Sequence, residues 1–355
     1  MKIAIIGGGI NGVMAAWELC KKNHQVTMFE KTTVMSQTSS ASTKLLHGGL
    51  RYLENFEFSL VKEALGERQW WIKKAPKIAK PIKIFIPVYK KSRRPAWVYK
   101  MGLTLYDLFA GKENIGKHLT HEIIEMEQLC PDLIIKDLVK GFSYFDGQMD
   151  DYKLGIWAFN QVKKYKNFTI REKTIVNKVN NDGVVCLKEK KEYFDKVINI
   201  AGPWAKKLLK DSKISSKYDL DLVRGSHIVV NRKFKQGYLL EVPNERRIFF
   251  VLPYKGQALI GTTEVRQKIS NKVKPSQIEI NYLINSYNYY FLNKISKNEI
   301  VNSFAGLRPL VKSSENPNKA KREYAVESNK NLISIFGGKW TSARALGKKI
   351  SEVIK

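Results

Sequence analysis

Lys2-Ile3-Ala4-Ile5-Ile6, Gly7-Gly8-Gly9-Ile10-Asn11-Gly12 and Gln25-Val26-Thr27-Met28-Phe29-Glu30 decide the reading of this chain. They spell a short apolar strand, a glycine turn and, after a helical stretch from Val13 to Lys22, a second strand closed by an acid. Gly7, Gly9 and Gly12 make G-x-G-x-x-G between a strand and a helix, the context that gives the pattern its meaning. The first glycine permits the tight turn, the second lets a pyrophosphate approach the backbone, and the third lets helix and strand pack closely. The helix start adds unpaired N–H groups and a positive dipole end. Glu30 closes the second strand, where a carboxylate can accept from ribose hydroxyls. This is a dinucleotide site, and the motif alone does not separate FAD from NAD. The competing reading is a glycine turn in an ordinary βαβ unit.

Working outward, 355 residues allow one large or two modest domains with a real core. No run approaches the roughly 18 apolar residues that a membrane span needs. Lys2 and its apolar successors resemble a signal peptide only superficially, and the glycine fingerprint accounts for them better, so the expectation is a cytoplasmic chain. Three scattered cysteines, Cys20, Cys130 and Cys186, argue against a disulfide framework, and five histidines show no ligand spacing; no metal is expected. The net charge of +29 is high. It suits nucleic acid, anionic lipid or a phosphorylated substrate, or it is compositional drift toward Lys on a solvated surface. Without an RNA-binding aromatic motif or a dense basic tail, nucleic acid is set aside.

After Glu30 a polar stretch from Ser36 to Lys44 leads into Leu45-Leu46-His47-Gly48-Gly49-Leu50-Arg51-Tyr52-Leu53, a loop suited to wrapping a cofactor. Residues 57–75 read as a helix. Pro76, Pro81, Pro87 and Pro95 predict repeated turns over 76–110, ahead of an apolar helical stretch to Phe109. In that stretch basic residues beside Trp97, Tyr99 and Tyr106 could meet a lipid interface, or the stripe packs on its own domain. Asp150-Asp151 starts a helix running to about Lys166. Val197 to Trp204 is a buried-type strand ending at Gly202. From residue 220, Ile228-Val229-Val230, Ile248 to Leu252 and Ala258 to Thr263 predict an antiparallel sheet and a second lobe. Residues 275–295 read as a helix. Leu332 to Phe336 followed by Gly337-Gly338 repeats the opening device and aims another positive helix end at the site.

IGGGINGVMAA, TSSASTKLLHGGLRYLE, RRPAW, the Asp150-Asp151 helix start, NIAGPW, RGSHIVV, LIGTTE, FAGLRPLV and FGGKWTSAR occur in one order from Met1 to about Arg344. Together they resemble the FAD-dependent glycerol-3-phosphate dehydrogenases, within the D-amino-acid-oxidase-like flavoproteins. HGGLRYLE and GSHIVV are the specific parts. The resemblance implies an α/β chain, α+β overall: a Rossmann-like FAD-binding domain (1–75, 145–213 and 325–355) with an interleaved antiparallel-sheet substrate domain (76–144 and 214–324). It implies noncovalent FAD and oxidation of sn-glycerol 3-phosphate to dihydroxyacetone phosphate, with electrons passing to quinone or another acceptor. The implied cofactor set is Gly7, Gly9, Asn11, Gly12, Glu30, Ser39, Ser40, Thr43, Lys44, His47, Gly49, Leu50, Val176, Ala201, Gly202, Trp204, Gly337, Gly338, Lys339, Trp340 and Thr341. Family members normally continue into a further helical domain, whereas this chain stops after the last flavin-domain helix; oligomer contacts, membrane docking and substrate access are what that departure touches. The usual TTYR is Thr341-Ser342-Ala343-Arg344, and the usual lysine of KGSH is Arg224. A homo-oligomer, a partner subunit and peripheral contact with the inner face of the cytoplasmic membrane fit the same picture.

Oxidising a secondary alcohol needs hydride loss from carbon and proton loss from oxygen, and histidine is the usual base. His227, at the entry of a substrate-domain strand, matches the family's active-site histidine. A phosphate dianion calls for arginine forks: Arg308, between Leu307 and Pro309, first, and Arg51 second. Lys339, after the double glycine, can stabilise a reduced flavin or bind substrate. Tyr52 and Thr262 are weaker candidates for orienting substrate oxygens, and His47 is a flavin-loop contact. Two rival readings stand beside this one: oxidation of another anion (a 2-hydroxy acid, an amino acid or a larger glycerol-phosphate derivative), and a flavin-binding subunit without turnover.

Overall fold

The computed structural model describes residues 1–269, 272–313 and 324–354, except for the side chains of Arg51 and Ser313. The strand Lys2–Ile6 sits inside a six-stranded sheet ordered Tyr324–Asn329, Leu332–Gly337, Lys196–Asn199, Lys2–Ile6, Gln25–Phe29, Phe168–Arg171. All pairings are parallel except that of the edge strand Tyr324–Asn329. Ile3, Ala4 and Ile5 are fully buried because elements cover both faces, as parallel sheets require. On one face the helices Ile10–Lys21, Asp151–Val162 and Ala343–Val353 supply Val13, Met14, Leu154, Leu346 and Ile350 to the core. Gly347 lets the first and last of them touch, since a Cβ there would lie 2.7 Å from the Met14 carbonyl oxygen. On the other face the helix Ala205–Asp211 contributes Leu208 and Leu209, beside a small three-stranded sheet. The chain leaves Lys2–Ile6 in both directions across the sheet, so a crevice opens at its carboxyl end, where ligands of such sheets bind.

The second sheet has ten strands. Its main path runs Val265–Arg266, Tyr218–Val230, Gln257–Gly261, Ile248–Tyr254, Gly237–Glu241, Ala79–Tyr89, Leu138–Met149, Leu45–Leu46. Ile300–Ser313 pairs with Tyr218–Val230 along nearly its whole length. The expected antiparallel pattern holds at each pairing but one: Gly237–Glu241 joins Ala79–Tyr89 in parallel. The other edge of Ala79–Tyr89 is already taken by Leu138–Met149 over eleven residues, so the later strands add on the remaining side.

One expectation is corrected. Pro81 and Pro87 do not break the chain but lie within the strand Ala79–Tyr89. That strand's second edge is paired only at Ile84 and Phe85, and a strand with a largely unpaired edge tolerates proline. Tyr99 and Tyr106 are buried in the helix Ala96–Ala110, while Trp97 is exposed; the two tyrosines hydrogen-bond to the buried acids Glu241 and Asp146 and cannot face lipid. Leu45–Leu46 and residues 145–149 pair within the second sheet rather than with the cofactor unit, because the loop after the glycine fingerprint is stitched to the edge of that sheet. Residues 314–323, at the end of the expected substrate lobe, lie outside the described residues.

Candidate active site

A continuous cavity of about 980 Å³ runs from the glycine turn to the second sheet, near the upper end for small-molecule sites. At its first end the backbone is drawn tight. A Cβ on Gly12 would lie 2.0 Å from the Gly7 carbonyl oxygen, one on Gly7 2.6 Å from that of Ile200, and one on Gly9 2.9 Å from Ser39 Oγ. The Glu30 carboxylate accepts from the Gly8 amide at 2.8 Å and from the Thr32 amide and hydroxyl at 2.9 and 2.8 Å. It is thus the brace of the turn, and its remaining lone pair can still accept a ribose hydroxyl. Lys31, which the sequence reading passed over, lies 3.1 Å from the centre of the Trp204 ring, and burial lowers its ammonium to about 8 with Glu30 opposing.

Most of the expected cofactor set lines this cavity: Gly7, Gly9, Asn11, Gly12, Glu30, Ser39, Thr43, His47, Gly49, Leu50, Val176, Ala201, Gly202, Trp204, Gly337, Gly338, Lys339, Trp340 and Thr341. Ser40 and Lys44 do not. Ser40 Oγ donates to the Gln37 carbonyl, and Lys44 Nζ is held 2.7 Å from buried Asp151, since a buried ammonium needs a carboxylate partner. Trp340 Nε1 donates to the Ser39 carbonyl at 2.9 Å, and Trp71 Nε1 to that of Thr341 at 3.1 Å. The first bond ties the closing double-glycine turn to the loop after the fingerprint, and the second ties it to the helix Phe58–Lys74.

The loop at His47–Tyr52 stands on a fully buried cluster. The Gly48 amide lies 2.9 Å from Tyr106 Oη and 3.0 Å from Asp146 Oδ1, and Arg68 Nη1 donates to Asp146 at 3.2 Å. Burial pushes the Asp146 carboxyl up, against the pull of Arg68. Gly49 takes φ +79, and the backbone then enters the short helix Leu50–Asn55. Arg51 belongs to that helix, and its side chain lies outside the described residues. Tyr52 faces the cavity with Lys339 Nζ 3.8 Å from its ring centre.

At the far end stand His227, Thr262 and Arg308. His227 is 2% exposed, stacks on Phe304 at 4.9 Å, and shares a 3.0 Å hydrogen bond through Nε2 with Thr43 Oγ1. Burial first, then the charges of Lys44 and Arg308, lower it to about 3, so the ring is neutral in the ligand-free protein. Arg308 Nη2 donates to the Thr263 carbonyl at 2.9 Å. His227 pairs with Gly261 on one side, next to Thr262, and with Phe304 on the other, while Arg308 pairs with Val223 farther along the same strand and its guanidinium reaches back over Gly225, as Thr262 does.

Glu279 organises this end and was not singled out from the sequence. Its carboxylate takes Arg224 Nη2 at 2.6 Å and the hydroxyls of Ser226 and Thr263 at 2.7 Å each. Burial opposes its charge, but the hydrogen bonds from Arg224, Thr263, the Ser276 amide and Ser226 prevail and hold it at about 2. Arg224 is thereby a brace rather than a cavity residue. The Ser276/Glu279 capping box is the signal that could have marked the acid.

Buried polar atoms of cavity residues with no hydrogen-bond partner among the described residues include Asn11 Oδ1, Tyr52 Oη and His227 Nδ1. Orphans of this kind call for a polar ligand, and they mark the first, middle and far parts of one cavity. Glycines too crowded to carry a Cβ, helix N–H groups and an acid-braced turn suit the dinucleotide part of FAD.

Comparison with known proteins agrees with this reading. The family model described as FAD dependent oxidoreductase matches residues 2–353. The chain is 36% identical to the aerobic glycerol-3-phosphate dehydrogenase of Escherichia coli (strain K12), over 99% of this chain and 72% of that protein. It is 34% identical to the D-erythritol 1-phosphate dehydrogenase of Brucella abortus (strain 2308), over 97% of this chain and 72% of that protein. The crystal structure of glycerol-3-phosphate dehydrogenase from Bacillus halodurans complexed with FAD superposes with a TM-score of 0.78 at 22% identity, covering all of this chain and 64% of that one. Fold, cavity and sequence agree, and the chain belongs to the FAD dependent oxidoreductase family.

Proposed function

We propose that the protein oxidises sn-glycerol 3-phosphate to dihydroxyacetone phosphate and passes the electrons to quinone or another acceptor. The observation that carries the reading is one cavity joining the glycine fingerprint to a neutral buried histidine beside an arginine. Bound FAD supplies the acceptor for the hydride. The protein's own residues do the rest. Arg308, with Arg51, binds the phosphate. His227 takes the hydroxyl proton at a ring nitrogen, its ring fixed by Thr43 and Phe304. Lys339, over Tyr52, places a positive charge near the reacting end of the cavity. Buried Leu239 and partly buried Phe250 limit water there.

A second reading is a longer polyol phosphate, favoured by a 34% identical relative named D-erythritol 1-phosphate dehydrogenase. A panel of sn-glycerol 3-phosphate, erythritol phosphates, glycine and lactate, assayed with an artificial electron acceptor, decides. Highest kcat/KM with glycerol 3-phosphate supports the proposal, and preference for a four-carbon phosphate or an amino acid contradicts it.

Contact with an anionic membrane is part of the same proposal. Phe56, Trp97, Met101 and Leu108 are all more than half exposed, with Lys62, Lys100 and Lys112 exposed nearby. Apolar tips beside lysines suit a lipid headgroup boundary. Among the described residues no helix is long and apolar enough to cross a membrane. Flotation with anionic but not neutral vesicles, lost in Trp97→Ser/Leu108→Ser, is the expected result; no flotation contradicts it.

A further inference from the structure

Glu264 has no part in the chemistry above, yet it lines the cavity between two arginines. Its Oε1 lies 3.6 Å from Arg308 Nη1 and its Oε2 3.4 Å from Arg247 Nε. Both separations exceed the roughly 2.7–2.9 Å of a charge-assisted hydrogen bond. Elsewhere the chain closes such pairs fully, at 2.6 Å for Arg224–Glu279 and 2.7 Å for Arg344–Glu67. Glu264 and Arg308 are also partly solvated, at 42% and 35% side-chain exposure, where an ion pair is weak and easily exchanged.

The two arginines differ in their place around the cavity, although each also donates to a backbone carbonyl, Arg308 to that of Thr263 at 2.9 Å. Arg247 donates to the Thr262 carbonyl at 3.0 Å and to Tyr282 Oη at 3.1 Å, bracing the turn that carries Glu264. Arg308 lies on the neighbouring strand Ile300–Ser313 and lines the cavity, as Thr262 and His227 do, whereas Arg247 is not among the lining residues. An anion entering the cavity therefore meets Arg308 with a carboxylate already beside it.

We propose that Glu264 competes with the substrate phosphate for Arg308: it shares Arg308 in the ligand-free protein and yields it to the incoming phosphate while staying paired with Arg247. The proposal rests on the reading of Arg308 as the phosphate-binding residue. A dianion at Arg308 comes within a few ångströms of the Glu264 charge, so each phosphate bound must overcome that repulsion. The carboxylate thus weakens ground-state binding of every phosphate, and it does so without touching the carbon that loses hydride. Its removal acts on affinity rather than on the chemical step.

The test uses the FAD-loaded protein, wild type, Glu264→Gln, Glu264→Asp and Arg308→Lys, with two probes: sn-glycerol 3-phosphate as substrate and inorganic phosphate as competitive inhibitor, its binding followed independently by the flavin spectrum. Glu264→Gln is expected to lower KM for the substrate and Ki for inorganic phosphate together, each by about three- to tenfold, with kcat changed by less than about twofold. Glu264→Asp, which keeps the charge but shortens its reach, falls between, and it carries the test if the glutamine variant loses FAD. Unchanged KM and Ki overturn the competition. A raised KM with unchanged Ki overturns it too, because Glu264 would then be an acceptor for a substrate hydroxyl. Arg308→Lys distinguishes the two levels. If it leaves both constants unchanged, the Arg308 reading itself fails; if it raises both while Glu264→Gln does nothing, only the competition fails.

Discussion

Thr43 Oγ1 lies 3.0 Å from His227 Nε2, a hydrogen bond between the loop that follows the glycine fingerprint and a strand of the second sheet. It ties the proposed base to the cofactor side of the cavity and fixes which ring nitrogen remains for a ligand. Nδ1 is the nitrogen without a partner among the described residues.

His227→Gln is expected to slow flavin reduction by about 10²–10⁴-fold, the usual share of a general base. Thr43→Val removes only the orientation and is expected to cost about tenfold with FAD content unchanged. Stopped-flow reduction under anaerobic conditions reads both, and a Thr43→Val rate equal to wild type contradicts the positioning role.

The acid limb of kcat/KM follows the substrate, not the base. His227 in the free protein is held at about 3 by burial and by the charges of Lys44 and Arg308, so it stays deprotonated through the assay range. The phosphate loses its second proton near about 6. The limb is therefore expected near that value and to move upward with a phosphonate analogue of higher pKa. A limb that stays in place when the analogue is used would assign it to the protein.

Glu279 links acid stability to the active-site scaffold. Its folded-state pKa of about 2 lies below the ordinary 4.5. A depressed carboxylate contributes stability that is present above the ordinary value and is lost as pH falls toward 2. Glu279→Gln is expected to cost roughly 2–3 kcal/mol at pH 7 and to flatten stability between pH 4.5 and 2. Urea unfolding at several pH values checks it. Equal losses at pH 7 and pH 3 would mean that the charge is not the cause.

Two glycines are expected to respond in opposite senses. Gly12→Ala puts a Cβ 2.0 Å from the Gly7 carbonyl oxygen, with backbone on both sides, and is expected to lower FAD affinity at least about tenfold. Gly66, within the helix Phe58–Lys74, has nothing within 4 Å of the position a Cβ would take. Gly66→Ala is expected to stabilise the protein by about 0.5–1 kcal/mol without changing FAD binding. Flavin titration and thermal melts of both variants read the pair.

Local signals carried much of this fold. The fingerprint Gly7-Gly8-Gly9-Ile10-Asn11-Gly12 and the closing Gly337-Gly338 lie next to the strands that give them meaning, so the parallel sheet and its crevice were legible. What resisted reading depends on partners distant in sequence. Pro81 and Pro87 sit in a strand with one edge largely unpaired, which only the register reveals. Lys44 looks like a cofactor ligand until Asp151, 107 residues on, is seen to hold it. Glu279 reaches Arg224 across 55 positions, and no pattern in the sequence joins the two. His227 was legible as a candidate base, but its depressed pKa follows from burial and from Lys44 and Arg308 arriving from other elements.

The most direct measurement mixes the FAD-loaded protein with sn-glycerol 3-phosphate in the absence of oxygen and follows the absorbance of the oxidised flavin. The account predicts rapid bleaching in the wild type, slowed by orders of magnitude in His227→Gln, with dihydroxyacetone phosphate formed in equal amount. Bound FAD that this substrate leaves oxidised would contradict it and would reassign the Arg308 end of the cavity to a different anion.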